Sequence, residues 1–259
     1  MVDLLYDGSF EGFLCCVYSH YYEEKAEGIY PEKGYQGRLG ALTRTVPTRE
    51  DQATKVYDAI GKKISHDALK RVYHVWLSNT PDKETLSLAY LIQGFRLGGG
   101  IDLLHADPVV YAMQQAEHKV TLEAHRFIGL VRFQELLPDL GRLELVSAQA
   151  LPAAILYSGF QPDHDIVELL ANHFSRRFRE ESLILHDKGR NKAVIAQGGD
   201  WYVSEFTEEQ LSGLGQRDKT FEVLWREYYH GIAIQERTNP RCQKRFMPVR
   251  YWKDLTEMK

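Results

Sequence analysis

The sequence predicts an α+β fold: a mixed or antiparallel sheet with packed helices and a helical insertion. Three observations predict it. Helical periodicity runs through residues 48–118; β-rich segments flank one amphipathic helix after residue 121; and strands and helices do not alternate as a doubly wound sheet requires. With 259 residues and 44% apolar content, the chain is long enough to bury a proper core. Its 15 Tyr, 11 Phe and 4 Trp argue against disorder. We read a single α+β domain over residues 1–259, with a mainly helical segment at about 48–118.

Each element has a local reason. Residues 2–6 form a short strand that stops at the turn pair Asp7-Gly8. Ser9 caps a helix to about Tyr22, with Phe10, Phe13, Leu14, Val17 and Tyr18 at helical spacing. Residues 27–42 hold four glycines and a proline and read as a loop or irregular arm. Thr48 and Asp51 open a helix toward Lys63, Ser65 caps the next, and Thr80-Pro81 starts a third that stops at Gly98-Gly99-Gly100. Asp107-Pro108 starts a fourth, expected to end before Val120. Residues 126–133 and 153–160 read as strands. Asp165 and Glu168 are placed as a capping box for a helix carrying Ile166, Leu169, Leu170, His173, Phe174, Arg177 and Phe178. Residues 183–186 and 193–197 flank Asp187-Lys188-Gly189-Arg190 as a hairpin. Residues 201–206 are a further strand, and 220–230 a last helix.

Composition excludes several classes. Cys15, Cys16 and Cys242 are the three cysteines; without a Cys-x-x-Cys pair they build neither a zinc ribbon nor an iron–sulfur site. Cys15 and Cys16 fall on an apolar helix face and read as small core residues. The opening residues carry no basic segment and no long apolar run, so a cytoplasmic protein with no membrane association is expected. Gly-x-Ser-x-Gly, phosphate-loop and paired-carboxylate motifs are absent, and no cofactor is expected.

The charge is segregated. Between Arg237 and Lys253 stand Arg237, Arg241, Lys244, Arg245, Arg250 and Lys253 with no acid; removing those six from the chain's −4 leaves −10 on the other 242 residues. Phe246, Tyr251 and Trp252 lie among them. Cations beside aromatic rings suit a nucleic-acid strand, since the cations neutralise phosphates and the rings stack on bases. Arg237, Arg241, Lys244, Arg245, Arg250 and Trp252 are the expected contacts. The alternative is a tail that packs its aromatics inward and pairs its cations with acidic helices.

Acid–base candidates are fewer. Glu123, Arg126, His164 and His173 are the candidate catalytic residues. On a strand over 126–133, Arg126 and Arg132 would share one face and could hold phosphates or pair with carboxylates such as Glu123 or Glu135. His164, His173 and His186, with Asp163 and Asp187, are the one cluster of metal or acid–base character. The nine-residue step from His164 to His173 is not a ligand spacing on one helix face, so no metal site is expected. Asp187 is accounted for as a turn residue.

Taken together, several stretches resemble an uncharacterised bacterial family known as "probable DNA metabolism protein". They are Tyr6-Asp-Gly-Ser-Phe-Glu-Gly-Phe-Leu14, Glu123-Ala-His-Arg-Phe-Ile-Gly-Leu-Val-Arg-Phe133, Pro162-Asp-His164, His173-Phe174 with Arg177-Phe178, and His186-Asp187. The closing Glu236-Arg-Thr-Asn-Pro-Arg241 and Met247-Pro-Val-Arg-Tyr-Trp252 extend the match over nearly the whole chain. The resemblance implies a DNA repair or modification setting beside a radical-SAM protein. The same domain also occurs ahead of a uracil-DNA-glycosylase-like domain, and this chain looks like the stand-alone form. It departs from the usual pattern over 137–152, where a longer link is expected, and at Leu130, where an aromatic is more usual. The expected function is an accessory protein that binds DNA through its basic–aromatic end. The alternatives are an enzyme acting on a DNA base or nucleotide, and a protein-binding adaptor for the radical-SAM partner.

Overall fold

The computed structural model describes residues 2–138, 154–217, 220–232, 237 and 239–258. It is an α+β protein whose chain clusters into two compact units, Met1–Thr121 and Leu122–Lys259.

The first unit opens with strand β1 (Val2–Tyr6) and helix α1 (Phe10–Tyr22). Ser9 caps that helix: its hydroxyl oxygen accepts the Gly12 N–H at 2.9 Å. The same hydroxyl donates to Asp7 Oδ1 at 2.6 Å, and Thr48 donates to Asp7 Oδ2 at 2.8 Å. A Cβ at residue 12 would stand 2.3 Å from Asp7 Oδ1, so this close approach requires glycine. The stretch expected to be an irregular arm instead carries β2 (Gly28–Pro31) near its start and meets β3 (Leu42–Thr45) at its end. Both pair parallel with β1, in the order β2-β1-β3, and α1 supplies the crossover that parallel strands need.

Helices α2 (Glu50–Lys63), α3 (His66–Trp76) and α4 (Lys83–Leu97) follow at the expected places, and a 3-10 turn spans Gly98–Leu103. Ser65 caps α3 through the Ala68 N–H. Thr48 does not cap α2: Arg49 stands at the cap position, and Thr48 donates its hydroxyl to Asp7. Arg71 on α3 binds Glu117 at 2.7 Å, Tyr90 at 3.1 Å and Asp102, and His74 meets the other Glu117 oxygen at 3.2 Å. The Arg71 and His74 contacts outweigh burial and hold the Glu117 carboxyl below its ordinary range. Cys15 and Cys16 are fully buried in the core beside Leu4, Phe13 and Val17.

Helix α5 (Pro108–Leu130) overturns the strand expected at 126–133. Asp107 caps it by accepting the Val109 and Val110 N–H groups at 2.8 and 3.1 Å. Its buried positions are Val110, Met113, Ala116, Val120, Glu123, Phe127 and Leu130. Steps of three and four make one helical stripe, and burial of that stripe outweighs the β preference of Phe127, Ile128 and Val131. Arg126 and Arg132 therefore do not share a strand face.

In the second unit a six-stranded mixed sheet runs in the order β8-β7-β6-β5-β4-β9. Its strands are β4 (Gln134–Pro138), β5 (Ile155–Phe160), β6 (Ser182–Asp187), β7 (Lys192–Gln197), β8 (Asp200–Glu205) and β9 (Gly215–Arg217). β5 and β6 are parallel and are joined through α6 (Val167–Arg177); the other neighbours are antiparallel. The expected hairpin is β6–β7, with Asp187 Oδ1 accepting the Gly189 N–H at 3.0 Å. The capping box does not form. Ile166 holds the cap position, and Asp165 and Glu168 both bind Lys192, at 2.9 and 2.6 Å. Helices α7 (Glu208–Leu214), α8 (Thr220–Ile232) and α9 (Pro240–Phe246) and 3-10 turns at Val249–Asp254 and Thr256–Met258 complete the unit. The lengthened link expected over 137–152 lies mostly outside the described residues. No helix among the described residues is long and apolar enough to cross a membrane.

Candidate functional site

Glu123 occupies a position on α5 that its helical stripe would give to an apolar side chain, and it is 4% exposed. A carboxylate so placed needs donors, because an unpaired buried charge is strongly unfavourable. Backbone supplies two: the Asp163 N–H donates to Oε1 and the His164 N–H to Oε2, each at 2.8 Å. The third is the Tyr251 hydroxyl, which donates to Oε1. Burial and this bond push the Tyr251 phenol well above its ordinary value. Asp163 in turn binds Arg250 Nε at 2.8 Å, and the Arg250 guanidinium stacks 4.7 Å from the Tyr251 ring centroid. Glu123 thus fastens α5, the Pro162–His164 turn and the C-terminal 3-10 turn.

Of the four candidate acid–base residues, Glu123 and Arg126 stand three apart on α5, and Glu123 also holds the backbone of His164. Glu123 meets His164 through the backbone amide of that residue. His164 is buried, whereas His173 is exposed on α6 with its ring edge-on to Phe174 at 4.9 Å. Arg126 is half-buried on α5 and makes no hydrogen bond or ion pair with another described residue. Arg132 pairs with Glu257, not with Glu123 or Glu135: Nη2 lies 2.6 Å from Oε1 and Nε 3.1 Å from Oε2. That pairing prevails over burial and holds the Glu257 carboxyl below its usual range. Among the described residues no group of three or more His, Cys, Asp or Glu side chains is arranged to hold a metal ion.

The basic end divides into an outward and an inward half. Asn239 caps α9 by accepting the Cys242 N–H at 3.0 Å, with Pro240 in the first turn. Arg241, Lys244 and Arg245 then fall at i, i+3 and i+4, on one helix face. With Arg237 they are exposed, and none has a hydrogen bond or ion pair with another described residue. Phe246, 61% exposed, ends the same helix. Beyond it the chain turns inward. Tyr251 is buried, and the Trp252 indole N–H, half-buried, is taken by the Met247 carbonyl at 2.9 Å. Arg250 is about half exposed despite its Asp163 pair.

The family described as a domain of unknown function, DUF4130, matches residues 81–257, more than half of the chain. The chain belongs to this family. The DUF4130 region contains Glu123, the Pro162–His164 turn, α9 and Tyr251, so the whole fastening and the outward cations belong to it. No curated protein sequence matches the chain.

A second polar constellation within the DUF4130 region is not foreseen from sequence: Gln134, Tyr157, Lys188 and Asp254 line one cavity. Its legible traces are Arg132 and Lys253, which line the same cavity and are singled out from sequence for their charge, and His186, which meets Tyr157 at 2.9 Å. The rest come from strands and a turn far apart in sequence, and no spacing marks them.

Proposed function

We propose that this protein is an accessory component of DNA repair or modification that binds nucleic acid through its basic–aromatic end. The observation that carries the reading is the face of α9. Three cations at i, i+3 and i+4, exposed and unpaired among the described residues, sit beside exposed Phe246 in a chain otherwise strongly acidic. Such a face neutralises successive phosphates and offers a ring for stacking. The accessory role and the radical-SAM partner rest on the sequence resemblance.

Binding to single- and double-stranded oligonucleotides, followed by fluorescence anisotropy across a salt series, tests the reading. Affinity is expected to fall steeply with salt. Replacing Arg241, Lys244 and Arg245 together by Ala should weaken binding at every sequence. It should also flatten the log–log salt slope by about 2 to 3, near 0.9 for each phosphate no longer neutralised. No binding at low salt would sink the proposal.

A further inference from the structure

Within the first unit, side chains of α1, α2 and α4 line a pocket of about 190 Å³. A void of about 150 Å³ accepts one six-membered ring, so this one has room for a ring and a small substituent. Its walls are aromatic. Tyr18, Tyr21 and Tyr22 fall at i, i+3 and i+4 on α1, and Phe95 of α4 stands edge-on to Tyr21 at 5.5 Å between ring centroids. All four rings can be reached from solvent: Tyr22 is 73% exposed and Tyr21 39%, while Tyr18 and Phe95 are half-buried. None of the three phenol hydroxyls bonds to another described residue.

The rim is basic. Lys55, Ala59 and Lys63 follow at i, i+4 and i+8 on α2, so both lysines stand on the pocket's side, and none of its described lining residues is Asp or Glu. Lys55 Nζ lies 5.9 Å from the Tyr18 ring centroid and 3.5 Å from Asp51, an exposed pair that leaves ammonium protons to spare. Lys63 is exposed and makes no hydrogen bond or ion pair with another described residue. Lys25 Nζ adds a third cation, 5.0 Å from the Tyr21 ring centroid. The acids that follow α1, Glu23 and Glu24, both pair with Arg44. Aromatic cages commonly hold cations, but here two of the rings are already faced by the protein's own ammonium groups, which repel another.

We propose that this pocket binds a small aromatic anion: one flat ring carrying a phosphate or a carboxylate. The ring packs offset or edge-on against the tyrosines and Phe95, as aromatic pairs do. The anionic group accepts from the Lys55 and Lys63 ammonium groups, in the charge-assisted bonds that are the strong ones. A nucleoside monophosphate and an aromatic carboxylic acid share this chemistry. Of the lining residues only Phe95 lies within the DUF4130 match at 81–257, and none belongs to α9. The inference therefore stands apart from the nucleic-acid reading above.

Titration calorimetry of the full chain with phenyl phosphate, inorganic phosphate, benzyl alcohol and benzyltrimethylammonium tests the pocket. Phenyl phosphate should bind at least about tenfold tighter than the ion without a ring, the ring without a charge, or the cation. Uridine monophosphate and benzoate separate the two sources, and whichever binds tighter identifies the source. Replacing Lys55 and Lys63 together by Gln should weaken phenyl phosphate binding about tenfold or more. Tyr22→Ala, at a position open enough to leave the fold intact, should weaken it about threefold or more. Melting curves check that both variants fold. No binding of phenyl phosphate, equal affinity for phenyl phosphate and the cation, or unchanged affinity in the lysine variant overturns the proposal.

Discussion

At the scale of single residues, Glu123 and Glu257 help to hold the C-terminal turns, beside Asp163, which binds Arg250. Glu123→Gln puts an amide nitrogen against one of three donors, so it should cost about 1–3 kcal/mol in urea denaturation. Tyr251→Phe removes one charge-assisted donor and should cost about 1.5–3 kcal/mol in the same assay. Glu257 gives a pH dependence. Its folded pKa is depressed by Arg132, so its stabilisation is complete above the ordinary Glu value of about 4.3 and is lost as pH falls through the lower folded value. Trp225 donates its indole N–H to Glu257 Oε2 at 3.0 Å, so acid titration of tryptophan fluorescence should report that loss. In Glu257→Gln this acid-dependent component should disappear. Residues that act on their own neighbours, such as Ser9 and Ser65, are legible from the sequence. Glu123 is not, because its donors lie 40 and 128 residues away.

At the scale of elements, the sequence is most misleading at the end of α5. Residues 126–133 are rich in β-formers, yet the stripe from Val110 to Leu130 continues without a break, and Glu123 disguises it by standing where an apolar residue is expected. A carboxylate in phase with a buried stripe is the signal that extends the helix. Gly129 offers a test: it is exposed, has no positive φ, and a Cβ there would meet nothing within 4 Å. Gly129→Ala should therefore stabilise the protein by about 0.5–1 kcal/mol in chemical denaturation. A loss of stability would argue against helix at that position. The hairpin β6–β7 is readable because its turn residues are adjacent. The parallel pairing of β1 with β2 and β3 is not, because it joins segments across a helix and a glycine-rich loop.

At the scale of the whole molecule, the chain forms two compact units, and each has its own charged anchor. In Met1–Thr121 that anchor is Arg71, largely buried between Asp102 and Glu117. Arg71→Ala would leave Asp102 only the Tyr90 hydroxyl and Glu117 only His74, and should cost about 3 kcal/mol, the lower end for a broken buried pair. Hydrogen exchange should locate the damage: faster exchange within residues 1–121, with the strands β5, β6 and β7 still protected. Uniform acceleration over both units would show instead that they open together. The α+β class follows from composition and periodicity. The division into units depends on which helices share a core, and that is decided by tertiary contacts that no local pattern records.

Three lengths of chain share the one carboxylate at Glu123, so none of them can drift alone in evolution. An acid at 123 and a phenol at 251 should be kept or lost together among relatives of this chain, and a lineage with Phe at 251 should offer Oε1 another donor. Substitutions at the exposed α9 cations carry no such linkage and should be exchanged freely between Lys and Arg.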